Sequence, residues 1–238
     1  MSGPFTLKDY FLANKIVSIV NSAISAVGIV GNLILLVTIL RSKHLKSVCS
    51  ILIAIQALSE IIYPASYFSM LYVSYNEVLV TRVNCFWYQL VPLTAANVSI
   101  VMMPIVAFDR FISLKYPFWY TSVHKRLYLF AVLTIPFAYS IFNVTNALYH
   151  MNNDIVVCRI PDGLTGKAAY FWVASQVCIA IFVLCIYFFV RHELNKRIGQ
   201  NRDVNTSTNR SLQIISIVYV FGYTLFSMIC LTAIFLTE

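Results

Sequence analysis

Six stretches of this chain are apolar for about the thickness of a bilayer. A hydrocarbon core of about 30 Å needs about 20 helical residues to cross it. Residues 16–40, 48–73, 85–107, 127–148, 168–190 and 212–236 all qualify, and the third run continues as helix to 114. Helix is forced in each, because backbone N–H and C=O groups in hydrocarbon find no water to bond. The alternating pattern of a membrane β-barrel is absent. Composition agrees: 11% of residues are charged and 60% hydrophobic, where soluble domains carry about 25% charged residues. The expected class is an all-α membrane protein with one transmembrane domain over residues 1–238.

Orientation follows from Lys and Arg. Arg41, Lys43, Lys46, Arg110, Lys115, Lys125, Arg126, Arg191, Lys196, Arg197, Arg202 and Arg210 fall on one side, and Lys8, Lys15, Arg82, Arg159 and Lys167 on the other. Twelve against five places the first set in the cytoplasm, with the N-terminus and, after six crossings, the C-terminus outside. The net charge of +8 is thereby explained by anionic lipid and loop placement. The basic residues form no stripe interleaved with base-stacking aromatics, so nucleic acid is not an expected partner. Trp87, Trp119 and Trp172 fall near span edges, as an interfacial aromatic belt requires. The first run is too long for a signal-peptide core and has no small-residue cleavage site after it. It reads as a retained span behind a short polar tail.

Asp109-Arg110-Phe111 lies where span three meets the cytoplasm, with Pro117 seven residues after Arg110 and Tyr120 just beyond. Cys85 lies twenty-five residues before Arg110. At about 1.5 Å per residue those landmarks are one membrane thickness apart on a single helix. An Asp-Arg pair alone is often interfacial charge, with Arg snorkelling to the headgroups. Two landmarks at opposite faces say more.

These residues resemble the rhodopsin-like G-protein-coupled receptors. DRF with its following proline is similar to their Asp-Arg-Tyr box, Gly31-Asn32 to the Gly-Asn pair of the first helix, and residues 57–60 (ALSE) to a second-helix motif that normally ends in Asp. ILIAIQALSE and DRFISLKYPFWY resemble most the nematode serpentine chemoreceptors of the Srsx type. The resemblance implies a rhodopsin-like helix bundle at the plasma membrane, a small-molecule ligand and a heterotrimeric G protein. Asp109, Arg110, Phe111 and Pro117 would serve coupling. The acid would hold the arginine at rest, and the arginine would turn inward on activation. No cofactor or metal is implied, and a second copy of the chain is left open as a partner.

Of the six cysteines, Cys49, Cys178, Cys185 and Cys230 lie in or beside apolar runs and read as buried thiols. Cys85 and Cys158 both face the outside, where oxidation is allowed. Their pairing would pin residues 149–167 over span three; the alternative is two unpaired surface thiols. Glu60 is the one ionisable side chain well inside a span and should face the bundle interior. Asn32 is its candidate partner. The resemblance puts Glu60 at a sodium-coordinating position, and a structural polar contact is the preferred reading. Eighteen residues before Arg110, where amine receptors carry an aspartate, stands Pro92. A non-amine ligand is expected, with Tyr67, Tyr72, Tyr88, Gln89, Pro92 and Thr94 as candidate pocket residues; packing is the alternative for the aromatics. Of three glycosylation-type triplets, Asn97 falls within a span, Asn205 on the cytoplasmic side and Asn143 against the membrane, so none is expected to be modified.

Other classes fare worse. A voltage-gated channel wants arginines on span four, which has none. A transporter wants repeated halves and several midplane polar groups. An enzyme wants clustered catalytic side chains, whereas His44, His124, His150 and His192 all read as loop residues. Departures from the family pattern are the ending at Glu238 after span six, with no seventh span, Phe221-Gly222-Tyr223 in place of a Trp-Pro switch, and no tryptophan in span four. A truncated isoform, a gene fragment and a six-span receptor all fit.

Overall fold

A computed structural model of the chain describes residues 7–42 and 47–198. Five helices in it are long and apolar enough to cross a membrane. These are α1 (Leu7–Arg41), α2 (Val48–Tyr75), α3 (Arg82–Lys115), α5 (Lys125–Tyr149) and α6 (Gly166–Ile198). A six-residue helix α4 (Pro117–Ser122) lies between α3 and α5. Two short strands, β1 (Val80–Thr81) and β2 (Ile155–Val156), pair antiparallel, with Val80 opposite Val156. The expected sixth span, 212–236, lies outside the described residues.

The five described spans stand where hydropathy put them, with longer ends. Helix α1 begins at Leu7, so part of the expected polar tail is helical. Helix α6 continues through RHELNKRI to Ile198, which carries His192 into a helix instead of a loop. Both extensions are rich in good helix formers, and membrane exit does not end a backbone ladder whose next residues favour it. Pro64 and Pro136 sit inside α2 and α5.

The chain divides into two compact units, Met1–Ser99 with Ala138–Ala169, and Ile100–Phe137 with Tyr170–Glu238. In the first, α1 meets α2 along small polar side chains. Ser18, Ser22 and Ser25 are buried on α1, and the Ser22 hydroxyl donates to the Tyr67 carbonyl at 3.0 Å. Small residues let helix backbones approach closely in lipid, where no hydrophobic force draws them together. Helix α2 starts on Ser47, whose side chain accepts from the Ser50 N–H. It ends in a Schellman turn, with Val78 N–H on the Val73 carbonyl and Glu77 in the left-handed region at φ 55°. In the second unit, Ala107, Ile186 and Val190 form a buried cluster against Phe111, Leu114 and Tyr187.

Burial corrects two expectations. Trp172 is 5% exposed, so it packs within the protein and does not join an interfacial belt as Trp87 and Trp119 can. Cys178 and Cys185 are exposed, not buried. They are seven residues apart and share one face of α6. A lipid-facing surface is as apolar as a core, so hydropathy did not distinguish the two.

Candidate receptor site

Helix α3 carries Cys85 near its start and Arg110 near its end. At its Arg110 end, Asp109 is 1% exposed. Its Oδ1 accepts from the Tyr120 hydroxyl at 2.9 Å and the Tyr128 hydroxyl at 3.1 Å. The two rings meet edge to face, 6.2 Å between centroids. Among the described residues, the buried Oδ2 of Asp109 has no hydrogen-bond partner, and neither has the buried Nε of Arg110. The ion pairs among the described residues do not include Asp109 with Arg110. The acid was expected to hold the arginine; here two tyrosines occupy it. Adjacent helix positions point about 100° apart and do not face each other, which leaves the acid open to groups from other elements. Phe111 stacks on Phe108 at 6.4 Å and carries the Lys115 ammonium at 5.3 Å from its centroid. Pro117 opens α4 at its first turn, where a missing N–H costs nothing.

Glu60 of α2 is 6% exposed and accepts a short hydrogen bond from the Ser99 hydroxyl of α3. The expected partner, Asn32, instead donates to the Gly28 carbonyl of its own helix at 3.0 Å. A side-chain amide that reaches a carbonyl one turn back has its donor satisfied locally. Among the described residues no group of three or more His, Cys, Asp or Glu side chains could hold a metal ion.

At the other end, a Cys85–Cys158 disulfide joins the start of α3 to the segment after α5, with Cα atoms 5.3 Å apart. Both cysteines are buried. Arg82 ties the same segment from a second direction. Its Nη1 donates to the carbonyls of Leu164 and Asp162 at 2.7 and 3.1 Å, and its Nη2 to Asp154 at 3.3 Å. Arg159 grips Asp162 with two nitrogens and reaches Asn14 of α1 at 3.3 Å. Lys15 pairs with Glu77 at 2.8 Å. Glu77, Asp154 and Asp162 at this end are thus each taken by a base.

The candidate pocket residues differ in burial and in hydrogen bonding. Gln89 is 2% exposed, with its amide nitrogen 3.9 Å from Cys158 Sγ and its Oε1 unpartnered. Tyr88, its neighbour, is 65% exposed, and Tyr72 is 69% exposed. Consecutive helix positions lie about 100° apart, so Tyr88 and Gln89 point in different directions. Tyr67 is hydroxyl to hydroxyl with Tyr63 at 2.8 Å, and Thr94 donates to the Leu90 carbonyl on its own helix. Pro92 is half-buried on α3. Asn143 is buried and bonded to the Tyr139 carbonyl, which leaves it no access for a glycan.

The family model of the serpentine type 7TM GPCR chemoreceptor Srsx matches residues 25–238. The chain belongs to this family. Human substance-K receptor is 32% identical over 98 residues, covering 40% of this chain and 25% of that protein. Rat substance-K receptor is 31% identical over the same length. The alpha-1A adrenergic receptor of Oryzias latipes is 21% identical over 195 residues, 78% of this chain and 41% of that receptor. The chain spans about a quarter to two-fifths of the length of these curated relatives. It is a multi-pass membrane protein of G-protein-coupled receptor type.

For this Srsx-family chain, sequence reading missed Tyr120, Tyr128 and Ser99 as site residues. A signal existed for Tyr120, which follows the DRF motif closely, and for Ser99, a hydroxyl inside an apolar run. Nothing in the sequence singles out Tyr128, one tyrosine of fifteen.

Proposed function

We propose that residues 1–238 form one receptor domain of the plasma membrane, with its N-terminus outside, which senses a small uncharged molecule and signals to a heterotrimeric G protein through Arg110. The carrying observation is Arg110 at the end of α3, its Nε without a partner beside an Asp109 that is already occupied. A guanidinium whose Nε has no hydrogen-bond partner among the described residues keeps a donor for another protein. Asp109, Phe111 and Pro117 hold the arginine's helix end and the neighbouring loop in place for that contact. The twelve-to-five split of Lys and Arg supports this end as cytoplasmic.

The ligand side is supported by chemistry at the Cys85 end. A cationic amine wants an unpaired carboxylate, whereas Glu77, Asp154 and Asp162 are each paired with a base. Gln89 offers a buried, unpartnered carbonyl oxygen below the bridged segment, which suits a neutral ligand bearing one hydrogen-bond donor. Arg110→Ala is the test. Ligand-driven nucleotide exchange should be lost while surface expression persists, and normal exchange in that variant sinks the coupling role. The probe is a panel of neutral volatile alcohols and ketones applied to cells expressing the receptor.

A further inference from the structure

We propose that the first turns of α1 act as a clasp: the adjacent residues Asn14 and Lys15 hold Arg159 and Glu77, and so keep residues 159–165 closed over the Cys85 end of α3. The consequence for ligand entry rests on the Gln89 reading above; the clasp itself does not.

The buried face of α1 belongs to its first part. Phe11, Asn14, Ser18, Ser22 and Ser25 are buried at spacings of three or four residues, and from Ala26 to Arg41 no residue is buried. The hold of α1 is thus concentrated toward the end that carries Asn14 and Lys15. Asn14 Oδ1 accepts from Arg159 Nη1 at 3.3 Å. Lys15 Nζ pairs with Glu77 at 2.8 Å and lies 5.7 Å from the Tyr75 ring centroid. Arg159 directly follows Cys158, so Asn14 acts on the segment beside its covalent anchor. All of these residues lie in one compact unit.

Glu77 carries an independent mark. Its φ of 55° suits glycine, the usual residue where a helix ends in this way. A glutamate there gives up backbone ease for a carboxylate that reaches Lys15.

The closed segment covers what a ligand would need. Gly163 lies so near α3 that a Cβ on it would stand 3.5 Å from Phe86 Cα. Gln89, about one turn further along, is 2% exposed beside Cys158. Cys158 is fixed to Cys85, so the segment can only swing about that point. Swinging away requires Arg159 to leave Asn14 or to carry α1 with it, and the Lys15–Glu77 pair opposes the second.

The test is the rate at which a phosphine reductant cleaves the Cys85–Cys158 bridge in receptor reconstituted in lipid nanodiscs. Both cysteines are buried, so attack proceeds from open states. Asn14→Ala should speed cleavage about three- to tenfold and Lys15→Gln about two- to fivefold, the effects of one hydrogen bond and one exposed ion pair. Glu77→Gly separates the clasp from a role in the turn alone. Acceleration equal to that of Lys15→Gln, with the double variant no faster than either, supports the clasp. Cleavage no faster than the parent's overturns it, because glycine is the better turn former. Ser99→Ala, a loss on other elements, should leave the rate unchanged; equal acceleration there would mean that cleavage follows general unfolding, and overturns the clasp as well. For entry, cells expressing Glu77→Gly should answer the alcohol and ketone panel with an onset about two- to fivefold faster than the parent's, and an unchanged onset overturns the gating role. A parent that answers no member of the panel counts against the ligand reading alone, and the cleavage rates then decide the clasp.

Discussion

Glu60 shows how one residue can be both a cost and a constraint. An ionisable side chain at the centre of a span costs roughly 2.5–3.5 kcal/mol on insertion scales, so it persists only where partners receive it. Ser99 is such a partner, on the facing side of α3. Hydrogen bonds between membrane helices contribute about 0.6 kcal/mol on average and up to about 1.7. Ser99→Ala should therefore lower stability by about 0.6–1.7 kcal/mol, seen as an earlier thermal unfolding of the solubilised receptor. Glu60→Gln should cost less, because the amide oxygen still accepts from Ser99. Equal unfolding of Ser99→Ala and parent would show that the hydroxyl contributes nothing.

At the scale of elements, the segment between α5 and α6 is held by covalent and ionic ties that reinforce each other. The Cys85–Cys158 bridge closes 73 residues of chain, and Arg82 bonds two carbonyls of the same segment three residues earlier on α3. Strand β2 adds its pairing to β1, immediately before Arg82. Removing a bridge of this kind typically costs about 2–4 kcal/mol. Cys158→Ser should cost that much and lower surface expression, and peptide mapping of the parent without reductant should recover one linked Cys85–Cys158 pair. Two free thiols in the parent would remove the bridge. Arg82→Lys should also destabilise the segment, since a lysine cannot reproduce the planar fork that reaches two carbonyls and Asp154 at once.

For the whole molecule, the proposed orientation puts the two ends of α3 in two compartments. On the proposed topology, with the N-terminus outside, Asn153, exposed after α5, would face the medium. Arg110 would then face the cytoplasm. In intact cells an impermeant thiol reagent should label Asn153→Cys and leave Arg110→Cys untouched until the membrane is opened. Labelling of position 110 from outside would reverse the topology and dissolve the coupling role with it. Helix α3 is the most enclosed of the five spans: 72% of its apolar stretch is buried, against 6% for α1. Substitutions along its middle are accordingly expected to be felt most.

The sequence by itself determined the solvent, the helices and their approximate ends. An apolar run of membrane length has one environment that suits it, and in that environment the backbone has one way to bond itself. It also marked Asp109, Arg110, Glu60, Cys85 and Cys158 as chemically out of place or paired by compartment, and these are the residues around which the structure is organised. Only the tertiary structure decided which face of each helix turns inward. In a soluble helix polar residues mark the outer face, whereas lipid-facing and core-facing residues are both apolar. That is why Tyr72, Tyr88, Cys178 and Cys185 proved exposed and Trp172 buried, against expectation. It is also why Tyr128, an ordinary aromatic near a span end, showed itself as a partner of Asp109 only once α5 was folded beside it.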